Sequence, residues 1–167
     1  MNCDNCGAPM TLVRDRDYFV CEYCGNFYFP QAAQDGVRVL GAPAETNCPV
    51  CALPLVSAAV DGMPILACPK CRGRLIKQGV FVYVVKYLRA QVSPLETEPP
   101  LNADELRQQR RCPGCGQMMD THPYYGGGNA VVDTCEHCGW IWLDYGELNK
   151  IAQAPESDYG HGGEAAT

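Results

Sequence analysis

Short apolar runs separated by turn residues set the pattern of this chain. Met10-Thr11-Leu12-Val13 and Tyr18-Phe19-Val20 flank a charged turn, Arg14-Asp15-Arg16-Asp17. Leu55-Val56-Ser57-Ala58-Ala59-Val60 and Met63-Pro64-Ile65-Leu66 flank Asp61-Gly62, a dipeptide favoured in two-residue hairpin turns. A third, longer hairpin turns at Tyr125-Gly126-Gly127-Gly128-Asn129 and returns through Ala130-Val131-Val132. Three consecutive glycines impose little conformation, so this tip is predicted to be mobile.

The period changes from two to 3.6 over residues 80–92. Phe81, Val84, Val85, Leu88 and Val92 fall on one helical face there, and Val80, Tyr83 and Tyr87 widen it. The β-branched content of this stretch would also suit a strand. An apolar face this broad is either a hinge helix buried between neighbouring units or a surface for a partner or a second copy of the chain. Ser93-Pro94-Leu95-Glu96-Thr97-Glu98-Pro99-Pro100 reads as a linker, because prolines oppose helix and strand interiors. Asn102 and Glu105 form a capping box ahead of a short helix predicted to run through Arg111, with Leu101 and Leu106 as the hydrophobic staple. Asp144 and Glu147 form another before a C-terminal helix, with Leu143 and Leu148 as its staple. The glycine-rich tail beyond Ala154 is predicted to be disordered.

The cysteines change this picture. All twelve fall into six Cys-x-x-Cys pairs, which group as Cys3, Cys6, Cys21 and Cys24; Cys48, Cys51, Cys68 and Cys71; and Cys112, Cys115, Cys135 and Cys138. The stretches between paired knuckles are 14, 16 and 19 residues. Two residues between cysteines let one turn of backbone aim both sulfurs at one ion, and two such turns supply four thiolates. Each unit spans about thirty residues, below the roughly 40 at which apolar burial alone sustains a fold, so metal must supply the missing stability. Three structural zinc ions are therefore predicted. Iron also suits four thiolates, which keeps a rubredoxin-like electron carrier as an alternative. A disulfide scaffold is a second alternative, and a redox-active pair of thioredoxin type a third, which six pairs in matched couples disfavour. The N-terminus Met1-Asn2-Cys3-Asp4-Asn5 shows no charged start and no apolar core of a secretory signal, which points to the reducing cytoplasm. No stretch has the roughly 18 consecutive apolar residues of a membrane span.

The formal net charge is −6. Three four-thiolate zinc sites would carry it to about −12. Residues 48–92 run against this balance, with six basic side chains and one acidic. Lys70, Arg72, Arg74 and Lys77 surround the second fourth cysteine and are the candidate nucleic-acid contacts, with Lys86 and Arg89 on the helix that follows.

Aligned on their fourth cysteines, the units repeat. Bulky residues occupy the fourth and fifth places after Cys138 (Trp142, Leu143) and after Cys71 (Leu75, Ile76), and Gly146 matches Gly79. After Cys24 the same places hold Tyr28 and Phe29, but Pro30 ends the pattern, so the first copy is truncated. Cys112-Pro113-x-Cys115, Cys135-x-x-Cys138 and Trp142-Leu143-Asp144-x-Gly146-Glu147-Leu148 together resemble the TFIIB-type transcription factor zinc-finger family of small bacterial proteins. The resemblance is specific over residues 112–148. Over 48–81 it is weaker, and over 3–29 it rests on cysteines and aromatics. It implies a β-hairpin ribbon with a four-cysteine zinc site and a following helix, and a link to transcription.

The predicted fold class is thus a small metal-stabilised α+β protein of three tandem zinc ribbons, the second and third each followed by a helix. Residues 1–40 form the truncated first ribbon, and 45–92 the second ribbon with its apolar helix. Residues 93–101 form the proline-rich linker, 102–154 the short helix, third ribbon and C-terminal helix, and 155–167 the tail. Four thiolates leave no open coordination position, and none of His122, His137 and His161 has a nucleophile or partner constellation, so no enzymatic activity and no small-molecule substrate are expected. The predicted role is a protein-interaction adaptor presenting Tyr28, Phe29, Trp140 and Trp142, with Trp140 more exposed than Trp142.

Overall fold

A computed structural model describes residues 1–13, 18–28 and 35–155. The predicted charged turn at 14–17, Phe29, Pro30 and residues 156–167 of the tail lie outside them. The chain is a small α+β protein with ten strands and three helices among the described residues. Strands β1 (Thr11–Val13), β2 (Tyr18–Val20) and β3 (Phe27–Tyr28) form one antiparallel sheet. A second sheet contains β4 (Arg38–Asn47), β5 (Pro54–Val60), β6 (Met63–Ala67), β7 (Arg74–Lys77), β8 (Asp120–Pro123), β9 (Val131–Cys135) and β10 (Trp140–Leu143). Its order is β4-β5-β6-β7-β10-β9-β8.

Local chemistry accounts for the hairpins. Asp61 and Gly62 adopt left-handed φ values of 47° and 77°, the mirror-image turn whose twist matches its strands, and Val60 pairs with Met63 across it. The hydrophobic pattern did not announce β4, whose outward positions are mostly exposed and whose register shifts on both sides of Pro43. Proline is tolerated there because β4 is an edge strand with one side free of ladder bonds.

The centre of the large sheet is the antiparallel pairing of β7 with β10, which joins the second and third units. Leu75 lies opposite Trp142, Ile76 opposite Ile141 and Arg74 opposite Leu143. The two fourth-place residues of the repeat thus meet each other, and the units are arranged symmetrically about that pair. Alternation then sorts the side chains. Ile76, Ile141 and Leu143 face a core shared with Phe81, Val84, Val85, Leu88, Leu148 and Ile151, whereas Leu75 and Trp142 face the opposite side among cysteines.

Helices α1 (Gln78–Gln91), α2 (Ala103–Leu106) and α3 (Glu147–Ala152) complete the fold. Phe81, Val84, Val85 and Leu88 are buried, and Val80, Tyr87 and Val92 pack at the margin. Tyr83, expected to widen that face, is instead 65% exposed beside Val82. The apolar helix therefore covers the sheet and packs against α3, where Arg89 donates to the carbonyls of Ile151 and Ala154 and caps the end of that helix.

Several local expectations are corrected. Asn102 does cap α2, accepting from the Asp104 amide at 3.0 Å, but the helix stops at Leu106. Beyond it, Arg111 bridges to Met118 and the Arg110 carbonyl accepts from Met119, so extended pairing takes over and brackets the first knuckle of the third unit. The second capping box does not form. Gly146, at φ 97°, is the N-cap of α3, and no side chain caps it. Asp144 falls outside the helix, and Glu147, at its first position, turns under β9 instead. The glycine tip is pinned: Gly128 donates to Glu98 and Asn129 to the Pro99 carbonyl, both at 2.9 Å. Residues 93–101 carry no regular secondary structure, but these bonds and that from Leu95 to the Gln153 carbonyl lay them along the third unit.

Candidate metal centres

Six knuckles share one backbone design. The amide of the residue after each second cysteine donates back to the carbonyl of the first: Gly7 to Cys3, Gly25 to Cys21, Ala52 to Cys48, Arg72 to Cys68, Gly116 to Cys112 and Gly139 to Cys135, at 2.8–3.0 Å. Closing so tight a turn drives that residue into the left-handed region, with φ between 59° and 77°. Glycine holds the position in four knuckles at little steric cost. Ala52 and Arg72 hold it in the second unit.

These turns bring the cysteines together as the spacing requires. In each of the three sets all four sulfurs lie within 4.8 Å of one another. The closest contacts are Cys6–Cys21 at 3.5 Å, Cys3–Cys24 at 3.6 Å, and Cys48–Cys71 and Cys115–Cys135 at 3.7 Å. A tetrahedron with metal–sulfur bonds of about 2.3 Å has edges of about 3.8 Å, so the spacing matches a zinc–thiolate site. It is far longer than the roughly 2.05 Å of a disulfide, and all twelve cysteines are free.

Backbone amides prepare the sulfurs for negative charge. Val50 and Cys51 point N–H groups at the Cys48 sulfur, Lys70 and Cys71 at that of Cys68, and Gly114 at that of Cys112, at 3.3–3.4 Å. Hydrogen bonds from Cys48 and then Cys71 hold the Cys68 thiol down at about 2, and the same contact with Cys68 pushes Cys48 up to about 11. The Asn5 side chain, then the Asn26 amide, pull Cys24 down to about 6. Each set is thus predisposed to part-ionisation, and a bound dication completes it by displacing the remaining protons. The donor sets fit three zinc ions.

The sets differ in their surroundings. The second and third flank one apolar cluster containing Leu55, Leu75, Met119 and Trp142, with Trp142 fully buried. The Trp142 indole donates to Asp144 at 3.1 Å. Trp140 is half-buried beside the same cluster and lies under the Lys77 ammonium, 4.2 Å from the ring centre. The ordering expected of the two tryptophans holds, although Trp142 is wholly unavailable as an anchor. In the first set Cys6 and Cys24 are exposed, and the neighbouring aromatic contact is Tyr18 edge-on to Phe27, at 5.5 Å.

The candidate basic surface is broken up. Arg74 is buried and paired with Asp35 by two hydrogen bonds, at 2.8 and 3.2 Å, both side chains being 2% exposed, so it cannot reach a phosphate. No pattern announced this pair, because Asp35 lies 39 residues away. Lys77 is exposed, but its ammonium donates to the Cys138 carbonyl at 2.7 Å. Lys70 remains exposed, and Arg72 lies over the Tyr145 ring.

The acidic pairs are structural too. Glu147 is buried, accepts from the Val131 amide at 2.8 Å and faces Lys150 at 3.2 Å; burial raises its pKa above 4.5. His122 lies within hydrogen-bonding distance of the Pro123 carbonyl and of Thr134, and stacks on Tyr125. Among the described residues no helix is long and apolar enough to cross a membrane.

No curated protein and no solved structure matches this chain. The family model described as transcription factor zinc-finger, of TFIIB type, matches residues 47–85 and 111–154, which hold eight of the twelve cysteines. The match over 47–85 agrees with the weaker resemblance read in the unit that lacks the Trp-Leu-Asp motif, and both segments are similar to the zinc ribbons of the transcription factor zinc-finger family.

Proposed function

We propose that this is a non-enzymatic zinc protein of three tandem ribbons, the first a truncated copy, acting as a protein-interaction adaptor in the cytoplasm. The observation that carries the reading is the closure of the sites: four sulfurs per set leave no position for a substrate. The polar groups nearby are also spent on structure, Asp144 on Trp142, Glu147 on Val131 and Lys150, and His122 on Thr134. What the fold offers to solvent is side-chain surface, notably Tyr23 (88% exposed), Tyr125 (87%), and Val82 with Tyr83 on the outer side of α1. Tyrosines bring large contact area at low entropic cost, which suits interface anchors. A link to transcription rests on the family name.

The nucleic-acid reading loses support with the burial of Arg74. Co-purification from cells tests the choice. The adaptor reading expects a protein recovered stoichiometrically with the zinc-loaded chain and weakened by Tyr23→Ala, Tyr125→Ala or Tyr83→Ala. Recovery of nucleic acid alone, with mobility shifts abolished by Lys70→Glu and Arg72→Glu, would overturn it.

A further inference from the structure

We infer that the first cysteine set is an oxidation-sensitive, exchangeable zinc site, while the second and third hold their metals for the life of the fold. The inference rests on the three metal sets and their burial, and is independent of the adaptor reading.

Exposure and shielding carry it. Each set contributes two buried cysteines, but the other two are exposed in the first (Cys6, Cys24) and only half-buried in the second (Cys51, Cys71) and third (Cys115, Cys138). Oxidants and competing ligands reach sulfur through solvent, so exchange and oxidation follow exposure and the apolar shell around the site. The second and third sets share such a shell, built on Leu55, Leu75, Met119 and Trp142 across the β7–β10 pairing. The first set sits on three strands of three, three and two residues. A sheet this small has little burial of its own to hold it once metal leaves.

The chemistry balances with a peroxide as oxidant. A thiolate such as that of Cys6 attacks the O–O bond, forming a sulfenic acid and releasing hydroxide. A second thiolate of the set, within 4.8 Å, displaces the sulfenic oxygen as hydroxide and closes a disulfide. The sulfurs lose two electrons, the peroxide gains two, and the two hydroxides released are neutralised to water by two protons from the buffer. Two ligands are then gone, and zinc leaves as the dication. Strand β3 lies against β4, so close that a Cβ on Gly41 would stand 2.5 Å from the Phe27 carbonyl oxygen. Loss of this metal would therefore uncover the edge of the large sheet at Gly41.

The test is hydrogen peroxide added to the full-length, zinc-loaded chain, with released zinc followed by a chromogenic chelator. One equivalent of the three should leave in a phase about tenfold or more faster than the rest. Differential alkylation should find the early disulfide among Cys3, Cys6, Cys21 and Cys24. Cys6→Ser should load two equivalents and lack the fast phase, whereas Cys51→Ser should keep it. Hydrogen exchange should show residues 38–43 losing protection as the first zinc departs. Release of all three ions in one phase, early oxidation within 48–71 or 112–138, or a fast phase surviving in Cys6→Ser would each overturn the inference.

Discussion

Gly73 seats Trp142: a Cβ added at residue 73 would lie 2.1 Å from Cζ2 and 2.3 Å from Cη2 of the indole. In the repeat Gly73 stands where Trp140 stands in the third unit, so one unit gives up a side chain where the other's largest is buried. The contact couples the second knuckle of one ribbon to the third strand of the other. Gly73→Ala should cost about 1–3 kcal/mol by overpacking, read as a lower denaturant midpoint of the zinc-loaded protein. An unchanged midpoint would mean that the indole has room to move.

The left-handed position of the knuckles predicts opposite effects for gaining and for losing glycine there. Ala52 at φ 59° and Arg72 at φ 62° bear a left-handed conformation that costs about 1–2 kcal/mol with a side chain, offset in part by the greater unfolded-state freedom of glycine. Ala52→Gly should therefore raise stability by about 0.5–1 kcal/mol, while Gly116→Ala should lower it by about 1–2 kcal/mol. Paired denaturation curves at saturating zinc would reveal whether the signs differ.

Arg74 and Asp35 form a buried pair, and removing one partner strands the other's charge. Asp35→Ala and Arg74→Ala should each cost about 3–5 kcal/mol, and the double variant Asp35→Leu with Arg74→Met should recover much of that. Additive losses in the thermodynamic cycle would argue against the pair as drawn.

Glu147 makes a pH-dependent contribution whose sign follows from burial. Its pKa is raised above 4.5 in the fold, so between the unfolded and folded values the native state binds more protons than the unfolded chain. Stability from this group is therefore greatest below that window and falls as pH rises through it. Glu147→Gln retains an acceptor for Val131 and removes the titration. The stability difference between the two proteins should vary across that window and level off above it, as measured by denaturation at saturating zinc.

Metal removal should resolve the chain into two parts. Elemental analysis of the pure protein should find three zinc equivalents, and chelation should abolish its circular dichroism signature of folded structure. Because the second and third sets share the cluster around Leu75 and Trp142, Cys51→Ser should also weaken zinc at the third set by about tenfold or more. Equal third-site affinity in a zinc titration of that variant would show the two sites to be independent.

Much of this protein was written locally. The twelve cysteines announced their three groups because each knuckle needs only six residues and one left-handed turn, and Asp61-Gly62 announced its hairpin for the same reason. The buried face of α1 was legible in its spacing, since burying Phe81, Val84, Val85 and Leu88 needs only a helix and something apolar beneath it. Which residues would lie beneath was settled by the β7–β10 pairing, a contact between segments more than sixty residues apart that no local pattern encodes. That pairing brought Lys77 against Cys138 and Trp140, and buried Trp142 over Gly73. Asp144 then partnered the Trp142 indole and Glu147 the Val131 amide, although their spacing alone spells a helix cap. Arg74 was likewise drawn from a basic run into the interior by Asp35. Local rules describe a charged side chain by its neighbours in sequence, whereas burial and long-range partners decide what its charge does.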